Sequence, residues 1–263
     1  MNDAPGADLR PLITPHTGTI DEIRPTQHGH GSDLTAIVQY AKGPFFIKAM
    51  KNRPGGRRDS LVRERAIAPH VRAVSPELLW QVEDAAWLVL GFQVVEGRPA
   101  EFLPDSQDLP RVVRLVQRIT ALPVPAVAAD WAERRWHRFA ASEEEARRFE
   151  GDTLLYTDIT PSNFLIASTR AWVVDWSWPT TGAAFITPAR LVLQLIAAGH
   201  TPRAAEAWAA QCPAWVDADP AAVTAFAVAE QRMHRAFAER RPAEAWIRDM
   251  LSAADAWAGH RSE

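Results

Sequence analysis

The rhythm of hydrophobic and polar positions changes near residue 95. Before it, short apolar runs at 19–23, 34–40, 44–50, 78–82 and 87–92 are separated by Gly, Pro and Asp, with Asp84 in the turn between the last two. Each run has the length of a strand. A polar, Gly-containing connection over 52–58 then leads into a helix. Asp59 or Ser60 stands at its cap, Leu61, Val62, Ala66 and Ile67 form its apolar side, and Pro69 lies near its end. After the connector Val95-Glu96-Gly97-Arg98-Pro99, apolar positions recur at helical spacing. They include Leu109, Val112, Val113, Val116 and Ile119, then Val223, Phe226, Met233 and Phe237 with Glu230 among them, then Trp246, Met250, Ala254 and Trp257. The stretch 127–149 reads as a further long helix with a break near 140–142.

One strand-like passage interrupts the helical half. Residues 153–175 read LLY, TDITPSN, FLIA and AWVVD, two apolar strands around a loop and ending in an aspartate. The pattern predicts an α+β chain. A small, mainly antiparallel sheet with one helix covers 1–93, a connector covers 94–99, and a mostly helical part covers 100–263. No internal repeat or heptad array is present.

Composition narrows the function. The 263 residues suffice for one large domain or two lobes, and a net charge of −3 gives no nucleic-acid-coating surface. The basic residues are dispersed, so no polybasic membrane anchor is expected. The single cysteine, Cys212, excludes an intrachain disulfide and a Cys-based zinc site and is read as structural. The start of the chain lacks an apolar core segment, and the longest apolar run, 191–198 with Gln194 inside it, is too short for a bilayer. A soluble, cytoplasmic protein is expected. His28 and His30 alternate in a loop without a third ligand nearby and are assigned to an exposed turn. The acidic run Glu143-Glu144-Glu145 is assigned to a helix start capped by Ser142.

The interrupted passage carries the chemistry. In Thr157-Asp158-Ile159-Thr160-Pro161-Ser162-Asn163, an aspartate and an asparagine share one loop, and Asp175 ends the second strand twelve residues after Asn163. Hard oxygen donors suit Mg²⁺, which one or two protein groups hold together with substrate phosphates. A carboxylate beside such a site accepts a hydroxyl proton. Upstream, Lys48 ends the run Phe45-Phe46-Ile47, and Glu64 on the following helix is its natural partner. The loop 28–32 offers backbone N–H groups for phosphates.

In this order, over nearly the whole chain, the residues resemble the aminoglycoside phosphotransferase branch of the protein-kinase-like superfamily. The resemblance implies a two-lobed fold that uses ATP and Mg²⁺ to phosphorylate a hydroxyl. It implies that Asp158 is the catalytic base or orients the acceptor hydroxyl. For Asn163 and Asp175 the resemblance implies Mg²⁺ ligation, and for Lys48, supported by Glu64, contact with the α/β phosphates. Gly29, Gly31 and Ser32 correspond to the Gly-containing phosphate loop, and the segment 90–99, with Leu90 and Phe92, to the adenine-holding hinge. Val174-Asp175-Trp176 is similar to the Ile-Asp-Trp of that branch. Two departures stand out: Tyr156 replaces the histidine of the family's His-x-Asp-x-x-x-x-Asn loop, and Asp33 follows an irregular glycine loop. The stretch 176–187 is too short for a long activation segment, which favours a small-molecule acceptor over a protein. Trp176, Trp178, Trp208 and Trp215 suit an aromatic or singly cationic acceptor; a metabolite, choline-like amine, sugar or drug all fit. A nucleotide-binding pseudokinase without turnover is the alternative that Tyr156 motivates.

Overall fold

A computed structural model describes residues 7–26, 32–40 and 43–263. They form two compact units. One is built from the chain up to Gly97 together with Val174–Trp178, the other from Arg98–Val173 and Pro179–Glu263.

The first unit contains α1 (Arg10–Thr17), β1 (Ile20–Pro25), β2 (Leu34–Tyr40), β3 (Gly43–Lys51), α2 (Gly56–Ile67), β4 (Leu78–Glu83) and β5 (Trp87–Gln93). The strands form one antiparallel sheet in the order β1-β2-β3-β5-β4. The strand pattern of the sequence therefore translates directly into the sheet. Alternation then sorts side chains between its faces. Phe45, Ile47 and Ala49 of β3 pack with Leu9, Ile13, Trp87 and Val89. On the opposite face, Phe46 and Met50 pack with Leu61, Ala68, Leu88, Leu90 and Phe92. Lys48 has the parity of Phe46 and Met50, so it points to the α2 face. Its backbone is fixed from both sides by Thr35 of β2 and Leu90 of β5.

Two details differ from the sequence expectation. α1 was not anticipated, because Pro11 and Pro15 obscure its period; it is anchored by the fully buried Ile13 and, just ahead of it, Leu9, while most of its other residues stay exposed. α2 begins at Gly56, ahead of the expected caps Asp59 and Ser60, which lie inside its first turns. At Gly91, packing leaves no room for a side chain: a Cβ would sit 2.1 Å from the Trp80 ring, which His16 stacks against and Phe45 meets edge-on. Gly91→Ala is therefore expected to destabilise the protein by about 1–3 kcal/mol in a denaturant titration. A change within about 0.3 kcal/mol would mean that the indole swings aside freely.

The second unit opens inside β6 (Gly97–Pro99), at Arg98, and contains α3 (Leu109–Thr120) and α4 (Glu143–Arg147). It continues through β7 (Thr153–Leu155), β8 (Phe164–Ala167), β9 (Ala171–Val173) and β10 (Thr180–Gly182), and closes with five helices. These are α5 (Ile186–Ala197), α6 (Pro202–Ala209), α7 (Pro213–Val216), α8 (Pro220–Arg240) and α9 (Ala245–Arg261). The short strands pair as β6-β8-β9 and β10-β7. Arg98 makes a bidentate ion pair with Asp108, just ahead of α3, at 2.6 and 2.9 Å.

The long helix expected over 127–149 is absent. Instead the backbone bonds to β10: Trp131 O accepts from Thr181 N, and Glu133 N donates to Thr181 O. A peptide group committed to that ladder is lost to a helix. Only 3₁₀ turns at Ala126–Ala128 and His137–Phe139 and the short α4 remain, the last capped by Ser142 Oγ as expected. α5 is buried almost all round, as suits a central helix. An aromatic cluster of Trp136, Phe149, Phe185 and Trp257 closes around Phe226 of α8, with ring centroids 4.8–6.4 Å away. Among the described residues, no helix is long and apolar enough to cross a membrane.

Candidate functional site

In the first unit, the face alternation of β3 delivers Lys48 to α2, where Leu61, Glu64 and Ile67 line the buried side at a spacing of one turn. Lys48 Nζ donates to both carboxylate oxygens of Glu64, at 2.8 and 2.9 Å, and to Asp175 Oδ1 at 2.9 Å. Lys48 and Glu64 are nearly inaccessible, whereas the Asp175 side chain is 38% exposed. One cation thus faces two carboxylates, and the excess negative charge is shared unequally. Burial alone would lower the Lys48 pKa, but the two carboxylates outweigh it and hold the ammonium above its ordinary 10.5. Burial lifts Glu64 above its ordinary 4.5 against the pull of Lys48, and the like charge of Asp175 adds to the lift. Burial acts on Asp175 in the same sense, yet Lys48 and the Ser177 hydroxyl prevail and keep it below 3.8. The more exposed carboxylate is therefore the one that stays ionised most readily.

Asp175 has φ = 65°, and it is the non-glycine residue with left-handed backbone among the described residues. Aspartate tolerates that region better than most residues, but the conformation still carries strain and concentrates at functional positions. It turns the chain out of β9 and lets Asp175 Oδ1 receive both Lys48 and the hydroxyl of Ser177. Lys48→Met strands two carboxylates. Glu64 can take up a proton and Asp175 keeps part of its water, so the expected loss is about 2 kcal/mol of stability. A Lys48→Met protein as stable as wild type in urea would show that the ion cluster contributes nothing to folding.

In the second unit, Asp158 and Asn163 come together on the loop between β7 and β8. Asn163 Nδ2 donates to Asp158 Oδ2 at 2.9 Å and to Asp158 O at 3.1 Å. Asp158 is exposed although its neighbours Tyr156, Thr157 and Ile159 are buried, so the loop is a rigid mount for one solvent-facing carboxylate. Ala100 N donates to Pro161 O and Phe164 O and ties the loop's far end to β6. At its near end, Tyr156 is braced through its backbone N–H, which donates to Thr187 Oγ1 at 3.2 Å, while its ring is buried edge-on to Phe164.

Sequence reasoning missed the groups beneath this loop. Arg190 of α5 donates from Nε to Thr157 O at 3.1 Å and from Nη1 to Glu230 Oε1 at 2.6 Å. His234 Nε2 lies 3.2 Å from Glu230 Oε2. Burial works against the Glu230 charge, but Arg190 and His234 more than offset it and hold the carboxyl below its ordinary 4.5. The signal was visible in part: Glu230 interrupts an apolar helical stripe, and a charge on such a stripe needs a buried partner. Arg135, whose guanidinium lies 3.4 Å from Thr157 Oγ1, was missed as well.

Of the remaining candidates, Gly29 and Gly31, like His28 and His30, lie outside the described residues. Ser32 is at the base of β2, and the neighbouring Asp33 is occupied: Oδ2 accepts from Lys51 N at 2.7 Å and Oδ1 pairs with Arg57 at 2.9 Å. Leu90 and Phe92 are buried in the cluster against α2. Trp176 is buried and Trp178 half-exposed beneath Arg63, while Trp215 stacks on Trp257. Burial pushes the Cys212 thiol up to about 11, which leaves it unreactive. Among the described residues, no group of three or more His, Cys, Asp or Glu side chains could hold a metal ion by itself.

No family model matches the chain, and no curated protein matches its sequence. Solved structures do match it in fold. The choline kinase LicA from Streptococcus pneumoniae superposes with a TM-score of 0.65 at 9% identity, covering 96% of this chain and 98% of that one. A macrolide 2'-phosphotransferase from Brachybacterium faecium gives 0.55 at 15% identity, with 94% and 98% covered. The GDP complex of aminoglycoside 2'-phosphotransferase-IIIa gives 0.54 at 12% identity, with 98% and 99% covered. At these identities the likeness is one of fold, and it spans nearly the whole of each chain: an antiparallel sheet unit followed by a helical unit, the protein-kinase-like fold.

Proposed function

We propose that this chain is a small-molecule kinase that transfers the γ-phosphoryl group of ATP to a hydroxyl of its acceptor. The observation that carries the reading is the ion cluster of Lys48, Glu64 and Asp175, held by a left-handed aspartate. A buried pair rigid enough to fix an ammonium is expensive to maintain for stability alone, whereas phosphoryl transfer uses such an ammonium on the nucleotide phosphates. Asp158, exposed and oriented by Asn163, is the group that accepts or orients the acceptor hydroxyl. The likeness in fold to kinases and phosphotransferases of small molecules, one of them a GDP complex, supports the same class.

Mg²⁺ fits the donor set. Both hydrogen bonds to Asp175 fall on Oδ1, so Oδ2 takes part in neither, and the cluster has negative charge in excess. Asp175 is the residue of this cluster that would hold the ion. When bound with the nucleotide, it supplies charge neutralisation on the phosphates.

The test is a panel of hydroxylated small molecules (amino alcohols, sugars, aminoglycosides and macrolides) incubated with γ-labelled ATP and Mg²⁺. Label transfer to an acceptor is expected, together with a rise in melting temperature on adding Mg-ATP, since a ligand that binds the folded state raises it. A thermal shift without transfer to any acceptor supports the pseudokinase instead. The absence of both the thermal shift and label transfer would overturn the kinase reading and the pseudokinase reading alike.

A further inference from the structure

We infer that Arg190 is a positioning residue for the Asp158 loop and that Glu230 exists to hold it there. The inference rests on the role given to Asp158 above. Thr157, immediately before Asp158, is buried, and its carbonyl needs a donor. The donor is a guanidinium, Arg190 Nε, at 3.1 Å. Arginine presents several N–H groups in a rigid plane, so one can be spent on Glu230 while another faces the carbonyl. Here Nη1 is spent on Glu230 at 2.6 Å, which sets the plane and thereby the direction of Nε. Thr187, one turn earlier on α5, takes the N–H of Tyr156. α5 thus grips the backbone at two consecutive residues before Asp158, and both grips come from side chains buried on a helix that is itself buried. A pair that served only to join α5 to α8 would not need its arginine to reach a third element.

The arrangement makes a local prediction separable from general stability. In the variant Arg190→Met with Glu230→Met, the charges leave together and an apolar pair fills the space, which buried ion pairs commonly tolerate. The fold is expected to survive, judged by a cooperative melt. Amide hydrogen exchange in peptides spanning 157–163 is expected to rise about tenfold to a hundredfold, the range for losing a hydrogen bond from a charged donor, with α8 and α9 unchanged. With an acceptor in hand, kcat falls by a similar factor while KM for ATP stays within about threefold, because the lost contact orients a reacting group and does not bind nucleotide. If the double variant does not fold, Arg190→Lys keeps a cation opposite Glu230 but has a single ammonium for two acceptors, and a rise confined to 157–163 is expected again. Unchanged exchange at 157–163 in a folded variant overturns the inference and leaves Arg190 as packing. A wild-type protein that transfers no phosphate would count against the kinase reading, and the exchange result would still decide whether Arg190 holds the loop.

Discussion

Asp158→Asn is expected to lower turnover by about a hundredfold to ten-thousandfold while leaving Mg-ATP binding intact, the range for removing a general base. The substitution is nearly isosteric, and its amide oxygen can still accept from Asn163, so the loop geometry should persist. What disappears is the carboxylate charge, the one property that lets this position draw a proton from an acceptor hydroxyl. Because catalysis of this kind comes from positioning and charge, with no covalent intermediate to share the loss, the effect should appear in kcat and not in KM for ATP. Steady-state kinetics beside a calorimetric titration with Mg-ATP would separate the two. An Asp158→Asn enzyme within about threefold of wild-type kcat would remove Asp158 from the chemistry.

Arg190→Met alone is expected to destabilise the protein strongly, by about 3–5 kcal/mol, because it leaves Glu230 fully buried without its main partner. The paired change, Arg190→Met with Glu230→Met, should recover most of that loss. The sign of the pH dependence follows from Glu230. Its folded pKa lies below 4.5, so its contribution is present above that value and is lost as pH falls through the lower, folded value. Wild type should therefore lose stability on acidification below about pH 4.5, where the double variant lacks this contribution to its acid sensitivity. Urea titrations of the four proteins of the cycle, at neutral pH and in acid, give both answers. Equal destabilisation by the single and double variants would show that the arginine matters only for the volume it fills.

The solved structures that share the fold differ widely in the compounds their names give, from choline to macrolides and aminoglycosides.

Periodicity alone determined a great deal here. Five strands of a mainly antiparallel sheet, the helix bearing Glu64, and the β break inside the helical half with Asp158 and Asn163 on one loop were all legible; the strand order and the Asn163–Asp158 hydrogen bond were not. Each depends on neighbours within a few residues, and short-range steric and hydrophobic rules act at that distance. Lys48 and Glu64 were paired from sequence because the strand and the next helix leave few other partners. What only the tertiary structure decided were the long-range choices. Residues 131–133 had helical potential but gave their backbone to β10, some fifty residues on. The left-handed turn at Asp175 brings its Oδ1 to Lys48, far away in sequence, as well as to Ser177. Glu230 announced a buried charge without saying where its partner lay; Arg190 answers it from forty residues away. A charge in a low-dielectric interior must be matched by whichever group the packing brings near, and proximity of that kind is not written in local spacing.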